Sequence, residues 1–328
     1  MYVLGVDTGG TRTRCVVVDG SLSVLGVGEA GPGNYRVAGT DDARDNVEAA
    51  IRAALANADL DESAHLVGGF GMGTLDTEDD RQIITEFLHE IDLVDEYHVT
   101  NDVVAAYYSF TAGEPGVVVI AGTGAMACGR NESGDDARSS GWGWLFGDEG
   151  SGFDTARRGL RAASKAYDGR GDETELLGAA VEHFQLDSFE DVFTGVYDEI
   201  DHAKDIASFA EPVAEAAADG DEVAVAIVED AGEELAIAAA AVIEELDLAP
   251  APTVACQGGF GTALVVTDQF ESRLTDRYPQ TRFADPVVNS VVGSVGYVAE
   301  QRDWDVTRAD LAELDAELDA ELERLDAF

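Results

Sequence analysis

Residues 5–12 read GVDTGGTR and lie between two apolar stretches, YVLGVD and TRCVVVD. The apolar stretches predict two strands, so the segment between them is a turn. Gly and Asp are common in ordinary hairpin turns, and that interpretation suffices for the segment taken alone. The alternative is a loop that holds phosphate, because glycines let backbone N–H groups approach phosphate oxygens closely.

Two later segments repeat this design. AGTGA at residues 121–125 and QGGFG at residues 257–261 are also Gly-rich turns that follow apolar strands. Around the first of them, GVVVIAGTGAMACGR repeats the N-terminal order of strand, turn and strand. The three turns together favour a phosphate site over a plain hairpin, and the repeated order indicates an internal duplication.

Asp7 comes directly before the first turn. A carboxylate beside a phosphate is repelled unless a divalent cation lies between them, so Asp7 is our candidate for holding Mg²⁺, directly or through water. The sequence has no GxxxxGK[ST] motif of the P-loop proteins, and no Rossmann GxGxxG motif follows the first strand. The site is therefore not a P-loop, and a nicotinamide cofactor is excluded.

The chain of 328 residues carries 66 acidic and 20 basic residues, a net charge of −46. The acidic residues alternate with regularly spaced apolar residues along the whole chain, so the excess belongs to the surface of a folded protein. Lys165 and Lys204 are the only lysines. This composition resembles proteins of salt-loving archaea, in which concentrated salt screens the self-repulsion. Such a surface repels nucleic acids and anionic membranes, and no Lys/Arg cluster offsets it.

The N-terminal residues lack the charged region and long apolar run of a signal peptide. No window approaches the roughly 20 apolar residues that span a bilayer. We therefore expect a cytoplasmic protein that binds a small molecule rather than nucleic acid or a membrane. Cys15, Cys128 and Cys256 are far apart and form no CxxC pair, so we expect buried structural thiols.

The length of the chain favours two domains. Apolar residues are spaced as on one face of a helix over residues 41–58 and over most of residues 153–248. We place an N-terminal lobe at residues 1–115 and a C-terminal lobe at residues 116–305. The tail, residues 306–328, carries leucines at steps of three and four, which form one apolar helix stripe. This helix either packs back on the N-terminal lobe or forms a coil in a dimer.

Five motifs occur in a characteristic order over residues 5 to about 300, namely GVDTGGTRT, VTNDVVAA, VIAGTGA, GWGWLFGDEGSG and CQGGFG. In order and spacing they resemble the actin/heat-shock-70/sugar-kinase superfamily, and within it the BadF/BadG/BcrA/BcrD ATPase group that includes N-acetylglucosamine kinase. The most specific of them is GWG-x3-GDEGSG, placed about twenty residues after AGTG.

The resemblance implies an α/β fold of two ribonuclease-H-like lobes, as in actin-like ATPases, each a five-stranded sheet with helices, that close over an interlobe cleft. It implies ATP and Mg²⁺ as cofactors, two phosphate loops, and a third turn beside the adenosine. The implied residues are Gly9, Gly10, Thr11 and Arg12 in the first loop, Gly122, Thr123 and Gly124 in the second, and Gly258 and Gly259 in the third turn.

Asp102 in TNDVVAA aligns with the catalytic Asp of the sugar kinases. A carboxylate at a strand end can accept the proton of a sugar hydroxyl as its oxygen attacks the γ-phosphorus, whereas the structural alternative is a helix N-cap. Asn34 matches the Asn of amino-sugar kinases that touches the substrate. Asp148, together with the backbone of Gly141 and Trp142, matches the hexose-contacting segment.

The sequence departs from the family pattern in two places. The second loop ends in Ala125, where many relatives have Ser, which removes one possible hydroxyl contact but leaves the backbone loop intact. Residues 68–76 match the family only loosely, so no sugar contacts are carried over to them.

The resemblance implies an ATP-dependent carbohydrate kinase acting on the 6-hydroxyl of N-acetylglucosamine or glucosamine, and we expect a homodimer. The alternative is an ATPase activator of the 2-hydroxyacyl-CoA dehydratase or benzoyl-CoA reductase type, whose relatives hold an iron–sulfur cluster through paired cysteines; Cys128 and Cys256 would be that pair. A sugar-sensing regulator without turnover is a third hypothesis. The sequence lacks the additional helix-turn-helix segment with which such a regulator would bind DNA. The GWG and GDEGSG elements favour the kinase.

Removing salt should unfold the protein, because the net charge of −46 then repels itself without screening. We expect the far-UV circular dichroism of the folded state to be lost when the salt is lowered from molar to millimolar concentration. A spectrum that does not change at millimolar salt would contradict the halophilic interpretation.

Overall fold

The part of the chain that the computed structural model describes comprises residues 1–75, 77–198, 203–261, 263–284 and 289–326. These residues form two compact units. The first combines Met1–Glu114 with the chain from residue 289 onward, and the second is formed by residues 115–284. Each unit contains a mixed five-stranded sheet with helices, as expected for two ribonuclease-H-like lobes.

The first sheet has the strand order β3-β2-β1-β4-β5. Its strands are β1 (Tyr2–Thr8), β2 (Thr13–Val18), β3 (Val24–Ala30), β4 (Leu66–Met72) and β5 (Glu96–Asn101). The first three strands form an antiparallel meander, whereas β1, β4 and β5 run parallel. The carboxyl ends of these parallel strands therefore meet at one edge of the sheet, where ligand sites form in open α/β sheets.

The second sheet repeats this connectivity with the order β10-β9-β6-β7-β8. Its strands are β6 (Gly116–Ala121), β7 (Ala125–Arg130), β8 (Asp136–Ser140), β9 (Thr253–Gln257) and β10 (Arg282–Phe283). β6 pairs antiparallel with β7 and parallel with β9, as β1 does with β2 and β4. The duplication indicated by the sequence is thus present in the strand pairing.

Two strands at the edges of the second sheet, β8 and β10, were not predicted. The sequence of β8 is DARSS, and β10 consists of two residues. Neither shows the alternation of apolar residues that predicts a half-buried strand.

Helices cover the two sheets. In chain order they are α1 (Tyr35–Ala38), α2 (Thr40–Asn57), α3 (Glu78–His89), α4 (Asp102–Thr111), α5 (Gly152–Tyr167), α6 (Leu176–His183), α7 (Phe189–Asp198), α8 (Ala203–Ala207), α9 (Ala210–Ala218), α10 (Glu222–Glu245), α11 (Leu264–Arg277), α12 (Ser290–Gln301) and α13 (Arg308–Asp326). Helices α1–α4, α12 and α13 belong to the first unit. No helix within the described ranges is both long and apolar enough to cross a membrane.

Both faces of the first sheet are buried, which explains its nearly continuous apolar strands. Leu4 and Val6 of β1 pack in one core cluster with residues of α2 and α3. Val3, on the opposite face of the same strand, packs with the valines of α12 and the leucines of α13. The residues of β1 belong to two different clusters because successive side chains on a strand point to opposite faces of the sheet.

The structure assigns α12 to the first unit, whereas the sequence analysis placed residues up to 305 in the C-terminal lobe. The physical reason is that Val291, Val295 and Val298 complete the core on the first sheet. The stripe of α13 also packs within the chain, because Leu311, Leu314 and other leucines of that helix are buried in this cluster.

A close approach between α4 and α12 depends on Gly293. A Cβ atom at this position would lie 1.7 Å from the carbonyl oxygen of Ala105, so no side chain fits without separating the helices. Gly178 in α6 has open space around its Cα and offers a matched comparison.

We expect Gly293→Ala to lower the free energy of unfolding by about 1–3 kcal/mol, because the added methyl group overpacks the contact between α4 and α12. Gly178→Ala should stabilise the protein by roughly 0.5–1 kcal/mol, since Ala is the better helix residue where space is free. Thermal unfolding at high salt measures both. Equal melting temperatures for the two variants would show that the close approach does not constrain the fold.

Candidate active site

The first Gly-rich segment is a short loop between β1 and β2. Within it, the N–H of Gly9 donates to the carbonyl of Arg12 at 2.9 Å, and the carbonyl of Gly9 accepts from the N–H of Asn34 at 3.3 Å. The N–H groups of Gly10 and Thr11 make no hydrogen bond within the described part of the chain, and both residues are exposed. The loop is therefore a hairpin turn that also presents backbone donors, as a phosphate site requires.

Asp102 is the first residue of α4 and is not its N-cap. Asn101 occupies that position, since its Oδ1 accepts from the N–H of Val103 at 2.8 Å and its Nδ2 donates to the carbonyl of Leu75 at 3.0 Å. A Cβ atom on Gly73 would lie 3.1 Å from Oδ2 of Asp102. The cap thus fixes the start of the helix, and Gly73 leaves room for the Asp102 carboxylate beside the end of β4.

Contacts connect Asp102 to the first loop. The N–H of Gly73 donates to the carbonyl of Thr8 at 3.3 Å, and Thr8 directly precedes Gly9. Gly9 in turn bonds to Asn34. The structure therefore brings Asn34, the first loop and Asp102 to the carboxyl end of the first sheet.

Asn34 caps α1, because its Oδ1 accepts from the N–H of Arg36 at 3.0 Å. The next two side chains are anchored on the buried Asp80 of α3. Tyr35 donates its hydroxyl proton to Oδ1 of Asp80, and Nη2 of Arg36 donates to the same oxygen at 2.7 Å. Thr77 donates to Oδ2 of Asp80 from both its N–H and its hydroxyl, at 2.8 and 2.7 Å. The first residues of α1 are therefore fixed to the N-terminus of α3.

The electrostatics of Asp80 reflect these bonds. Burial alone would raise its pKa, but the hydrogen bonds from Tyr35, Thr77 and Arg36 outweigh burial and hold the pKa well below its usual range. Asp80 is thus a charged acceptor at neutral pH. The sequence analysis did not single it out; its signal was the Thr-x-x-Asp spacing of a capping box at Thr77.

Asp7, the candidate metal ligand, is a half-buried carboxylate near the end of β1. Burial raises its pKa, whereas a hydrogen bond from Ser290 and the charges of Arg14 and Arg12 lower it. A divalent cation would favour the charged form in the same way, so a hard oxygen ligand beside a phosphate loop fits Mg²⁺. No group of three or more His, Cys, Asp or Glu side chains converges as a metal site in the described ranges. Magnesium here would thus rely on Asp7, nucleotide phosphates and water.

Thr74 is a polar residue that the sequence analysis missed. It follows Gly73, is 1% exposed, and its hydroxyl finds no hydrogen-bond partner among the described residues. A buried hydroxyl without a partner is costly, so a ligand or water that bonds to it would be favoured. Its segment matched the family only loosely, which is why the motif comparison did not indicate it.

The second loop is held by the N-terminus of α5. The carbonyl groups of Gly122 and Thr123 accept from the N–H groups of Gly152 and Phe153, at 2.8 and 3.1 Å. The N–H groups of Thr123 and Gly124 make no hydrogen bond within the described ranges. This loop therefore also satisfies its carbonyls internally and leaves N–H groups available.

The third turn folds against the end of β6. Gly258 has φ +101°, and a Cβ atom there would lie 2.6 Å from the carbonyl oxygen of Ala121, so the turn requires glycine. That carbonyl also accepts from the N–H groups of Phe260 and Gly261, at 3.1 and 2.7 Å. The turn is thereby fixed beside the second loop.

A cavity of about 800 Å³ in the second unit is lined by both segments. Gly122 and Thr123 contribute to its wall together with Gly259. The volume is within the usual range for small-molecule sites. Lys204, one of the two lysines, also lines this cavity and had no assigned role in the sequence analysis.

Asp148 supports the second loop. Burial raises its pKa, against the lowering effect of hydrogen bonds from the N–H groups of Ala125 and Gly143. A Cβ atom on Gly124 would lie 2.8 Å from its carboxylate. Gly141 has φ +73°, and a Cβ there would overlap Met126, so glycine is required. The Asp148 carboxylate thus connects the GWG segment with the loop.

The GWG segment presents large apolar side chains to solvent. Trp142 is 67% exposed, with the guanidinium of Arg138 5.4 Å from its ring centroid. Trp144, Leu145 and Phe146 are exposed as well. These side chains are free to contact a ligand.

The second unit contains a cluster of basic residues, contrary to the prediction from the sequence. A second cavity of the second unit, about 950 Å³, is lined by several basic residues, although the sequence analysis found no Lys/Arg cluster. They are Arg157, Arg158, Arg161, Lys165 and Arg170. The cluster was missed because the helical period of α5 brings separated residues to one face. Acidic residues of α10, including Glu222 and Asp230, line the same cavity and offset this charge.

The cysteines do not form a pair. Cys128 lies opposite Val118 of β6, and Cys256 lies opposite the next residue, Val119. Because successive side chains on a strand point to opposite faces, the two thiols lie on opposite faces of the second sheet. Burial raises the pKa of Cys256 to about 12, so its thiol stays protonated at neutral pH.

The sequence was compared with known proteins. The profile of the BadF/BadG/BcrA/BcrD ATPase family matches residues 4–298. An N-acetylmuramic acid/N-acetylglucosamine kinase of Clostridium acetobutylicum is 30% identical over 298 residues, which cover 90% of this chain and 97% of that protein. An N-acetyl-D-glucosamine kinase of Dictyostelium discoideum is 30% identical over 306 residues, which cover 89% of this chain and 95% of that protein.

Solved structures share the fold. A Chromobacterium violaceum protein with a proposed N-acetylglucosamine kinase activity is 25% identical, with a TM-score of 0.76 over 90% of this chain and 98% of its own. A ROK family glucokinase of Streptomyces griseus, in complex with glucose and AMPPNP, superposes with a TM-score of 0.58 at 16% identity over 92% of this chain and 100% of its own. With the family profile spanning most of its length, this chain belongs to the BadF/BadG/BcrA/BcrD ATPase family.

Proposed function

We propose that this protein is an ATP-dependent sugar kinase that transfers the γ-phosphoryl group of ATP to the 6-hydroxyl of N-acetylglucosamine or glucosamine. The observation that carries the proposal is the position of Asp102. Its carboxylate lies beside Gly73, which bonds to Thr8 directly before the first phosphate loop. A general base must lie this close to the phosphate loop to act on an attacking hydroxyl.

In the proposed reaction, the sugar hydroxyl oxygen bonds to the γ-phosphorus while its proton passes to a carboxylate oxygen of Asp102. The bond between the γ-phosphorus and the β–γ bridging oxygen breaks, and ADP leaves with that oxygen. In the first unit, the N–H groups of Gly10 and Thr11 would donate to phosphate oxygens. In the second unit, considered by itself, Thr123 and Gly124 offer N–H groups of the same kind. Magnesium bound at Asp7 would neutralise phosphate charge.

The adenosine would occupy the 800 Å³ cavity beside Gly259. Two observations support this placement: the cavity wall includes the second loop, and its size suits a nucleoside. Lys204 at the same cavity would add a positive charge near the phosphates.

The first unit offers polar groups that would recognise the sugar. Asn34 uses its Oδ1 for the cap of α1, so its amide hydrogens can donate to a sugar oxygen. Thr74 has a buried hydroxyl that finds no partner in the described part of the chain. In the second unit, considered by itself, contacts of the sugar with Asp148 and the Gly141–Trp142 backbone stay a prediction. The named activities of the two curated relatives support an amino sugar as the substrate.

The ATPase activator is the weaker candidate. If Cys128 and Cys256 both bound one iron–sulfur cluster, their thiols would have to lie on the same face of the second sheet. They lie on opposite faces of that sheet. Four expectations stay predictions: that the protein requires magnesium, forms a homodimer, is halophilic and is located in the cytoplasm.

The proposal is tested by measuring ADP and sugar phosphate in molar KCl with Mg·ATP and a panel of N-acetylglucosamine, glucosamine, glucose and mannose. We expect one amino sugar to stimulate ADP formation strongly, with one sugar phosphate made per ADP. Asp102→Asn should lower kcat by about 10²- to 10⁴-fold, because the general base is lost. The control is Asp79→Asn, which removes an exposed carboxylate in the first turn of α3. ATP hydrolysis indifferent to every sugar, or turnover of Asp102→Asn within about tenfold of wild type, would contradict the proposal.

A second prediction concerns Asp80, which fixes the segment that carries Asn34. In Asp80→Asn the charge-assisted bonds to Tyr35 and Arg36 are weakened, so α1 loses its anchor. We expect the KM for the sugar to rise roughly tenfold, equivalent to about 1.4 kcal/mol, while the KM for ATP changes little. Asp79→Asn, one residue away and exposed, serves as the control. Equal rises in both KM values would indicate a general loss of structure instead.

A further inference from the structure

The C-terminal helix α13 carries a buried carboxylate in its apolar stripe. Asp315 is 9% exposed and lies between the buried Leu314 and Leu318. A charged residue in such a position is rare unless a specific partner holds it. Asn289, the residue before α12, is one such partner: its N–H and Nδ2 donate to Oδ1 of Asp315 at 3.2 and 2.7 Å.

The amide of Asn289 is oriented by α13. Its Nδ2 also donates to Oδ1 of Asp319 at 3.0 Å, so both contacts of this nitrogen go to carboxylates of the same helix. Consequently its Oδ1 points away from α13, where it accepts from Nη1 of Arg14 at 3.1 Å. The two carboxylates, which only accept, and the guanidinium, which only donates, therefore favour the same orientation of the amide.

Arg14 is held from two sides. Its Nε and Nη2 contact Oε1 of Glu29, each at 2.7 Å, and its Nη1 contacts Asn289. In the register of β1 and β2, Arg14 lies directly opposite Asp7, and its charge acts on that carboxylate. The guanidinium therefore contributes to the electrostatic field at Asp7, together with Arg12.

Ser290 completes the connection. It follows Asn289 in the chain and donates a hydrogen bond to the Asp7 side chain. The pair Asn289 and Ser290 thus reaches Asp7 by two routes, one through Arg14 and one directly. All of these residues belong to the first unit.

From this network we propose that Asp315 is a positioning residue for Asp7, so that the C-terminal helix takes part in binding the divalent cation and nucleotide. The inference rests on the proposed function, in which Asp7 serves the cation of Mg·ATP. Removing the Asp315 carboxylate takes away the acceptor of the Asn289 N–H and one of the two acceptors of its Nδ2, so that only Asp319 still holds the amide from α13. The segment of Asn289 and Ser290 is then held less tightly, and with it the contacts that orient the Asp7 carboxylate.

The test is the binding of Mn²⁺ to the full-length protein in the presence of ADP, followed by the electron paramagnetic resonance signal of free Mn²⁺. We expect Asp315→Ala to weaken Mn²⁺ binding by about 10- to 100-fold, the range seen when residues that orient metal ligands are removed. In kinetics, the KM for Mg·ATP should rise while the KM for the sugar stays within about twofold of wild type, since the network does not include Asn34.

Three further variants separate positioning from charge and from packing. Asp315→Asn keeps an oxygen that accepts from Asn289, so Mn²⁺ binding should recover to within about threefold of wild type if position matters more than charge. Leu314→Ala removes packing from the same helix and should lower the melting temperature without weakening Mn²⁺ binding by the folded protein. Glu313→Gln changes an exposed residue of α13 and should have no effect.

The outcomes are distinct. Unchanged Mn²⁺ binding in folded Asp315→Ala overturns the inference, and so does a loss in Leu314→Ala as large as that in Asp315→Ala, since helix docking would then explain both. If Asp315→Asn did not recover Mn²⁺ binding, the charge of Asp315 rather than the position of Asn289 would be responsible for the effect, and the positioning role would be refuted. Wild-type protein that binds no Mn²⁺ with ADP would overturn the role of Asp7 itself. Absence of sugar-dependent ADP formation, with Mn²⁺ binding intact, would refute the kinase proposal alone.

Discussion

A loop that binds phosphate through its backbone must be held in place by other contacts while its N–H groups stay available to the ligand. The first loop meets this constraint through the bond from Asn34 to the carbonyl of Gly9, and the second through the bonds from the N-terminus of α5 to Gly122 and Thr123. In each case the partner belongs to an element that lies elsewhere in the sequence. The rest of each unit can be understood as the scaffold that brings such a partner to the carboxyl end of a five-stranded sheet.

Buried carboxylates organise this scaffold in a protein whose acidic residues are otherwise mostly solvated. In the described ranges the buried acidic residues are Asp80, Asp154 and Asp315. Asp80 fixes α1, Asp315 fixes the residue before α12, and Asp154 pairs with Arg157 and Arg158 at the start of α5, at 2.6 and 2.8 Å. A buried charge is tolerated only with such partners. Asp80 and Asp315 each connect two elements, whereas Asp154 pairs with arginines of its own helix.

Much of the architecture was predictable because it depends on local patterns. Apolar runs such as VVIA in β6 and the Gly-rich turns after them predict strand and loop positions independently of distant residues. The duplication could be seen for the same reason. The edge strands β8 and β10 were not predicted, since polar or very short edge segments have no periodic pattern. The sequence analysis placed α12 in the C-terminal lobe, whereas it belongs to the first unit. A helix rich in valine and glycine can pack on either sheet, and its own sequence does not indicate which.

By itself, the sequence determined the strand–turn–strand repeats, the Gly-rich loops and the position of Asp102 after a strand, since each depends on residues that are neighbours in the chain. It also determined the acidic surface. Only the tertiary structure decided that Asn101 rather than Asp102 caps α4, that Asp80 anchors the segment of Asn34, and that Asp315 reaches Asn289. These contacts join residues far apart in the chain or choose between adjacent side chains of similar chemistry. The choice is made by packing geometry, which becomes defined only when the sheets and helices are assembled.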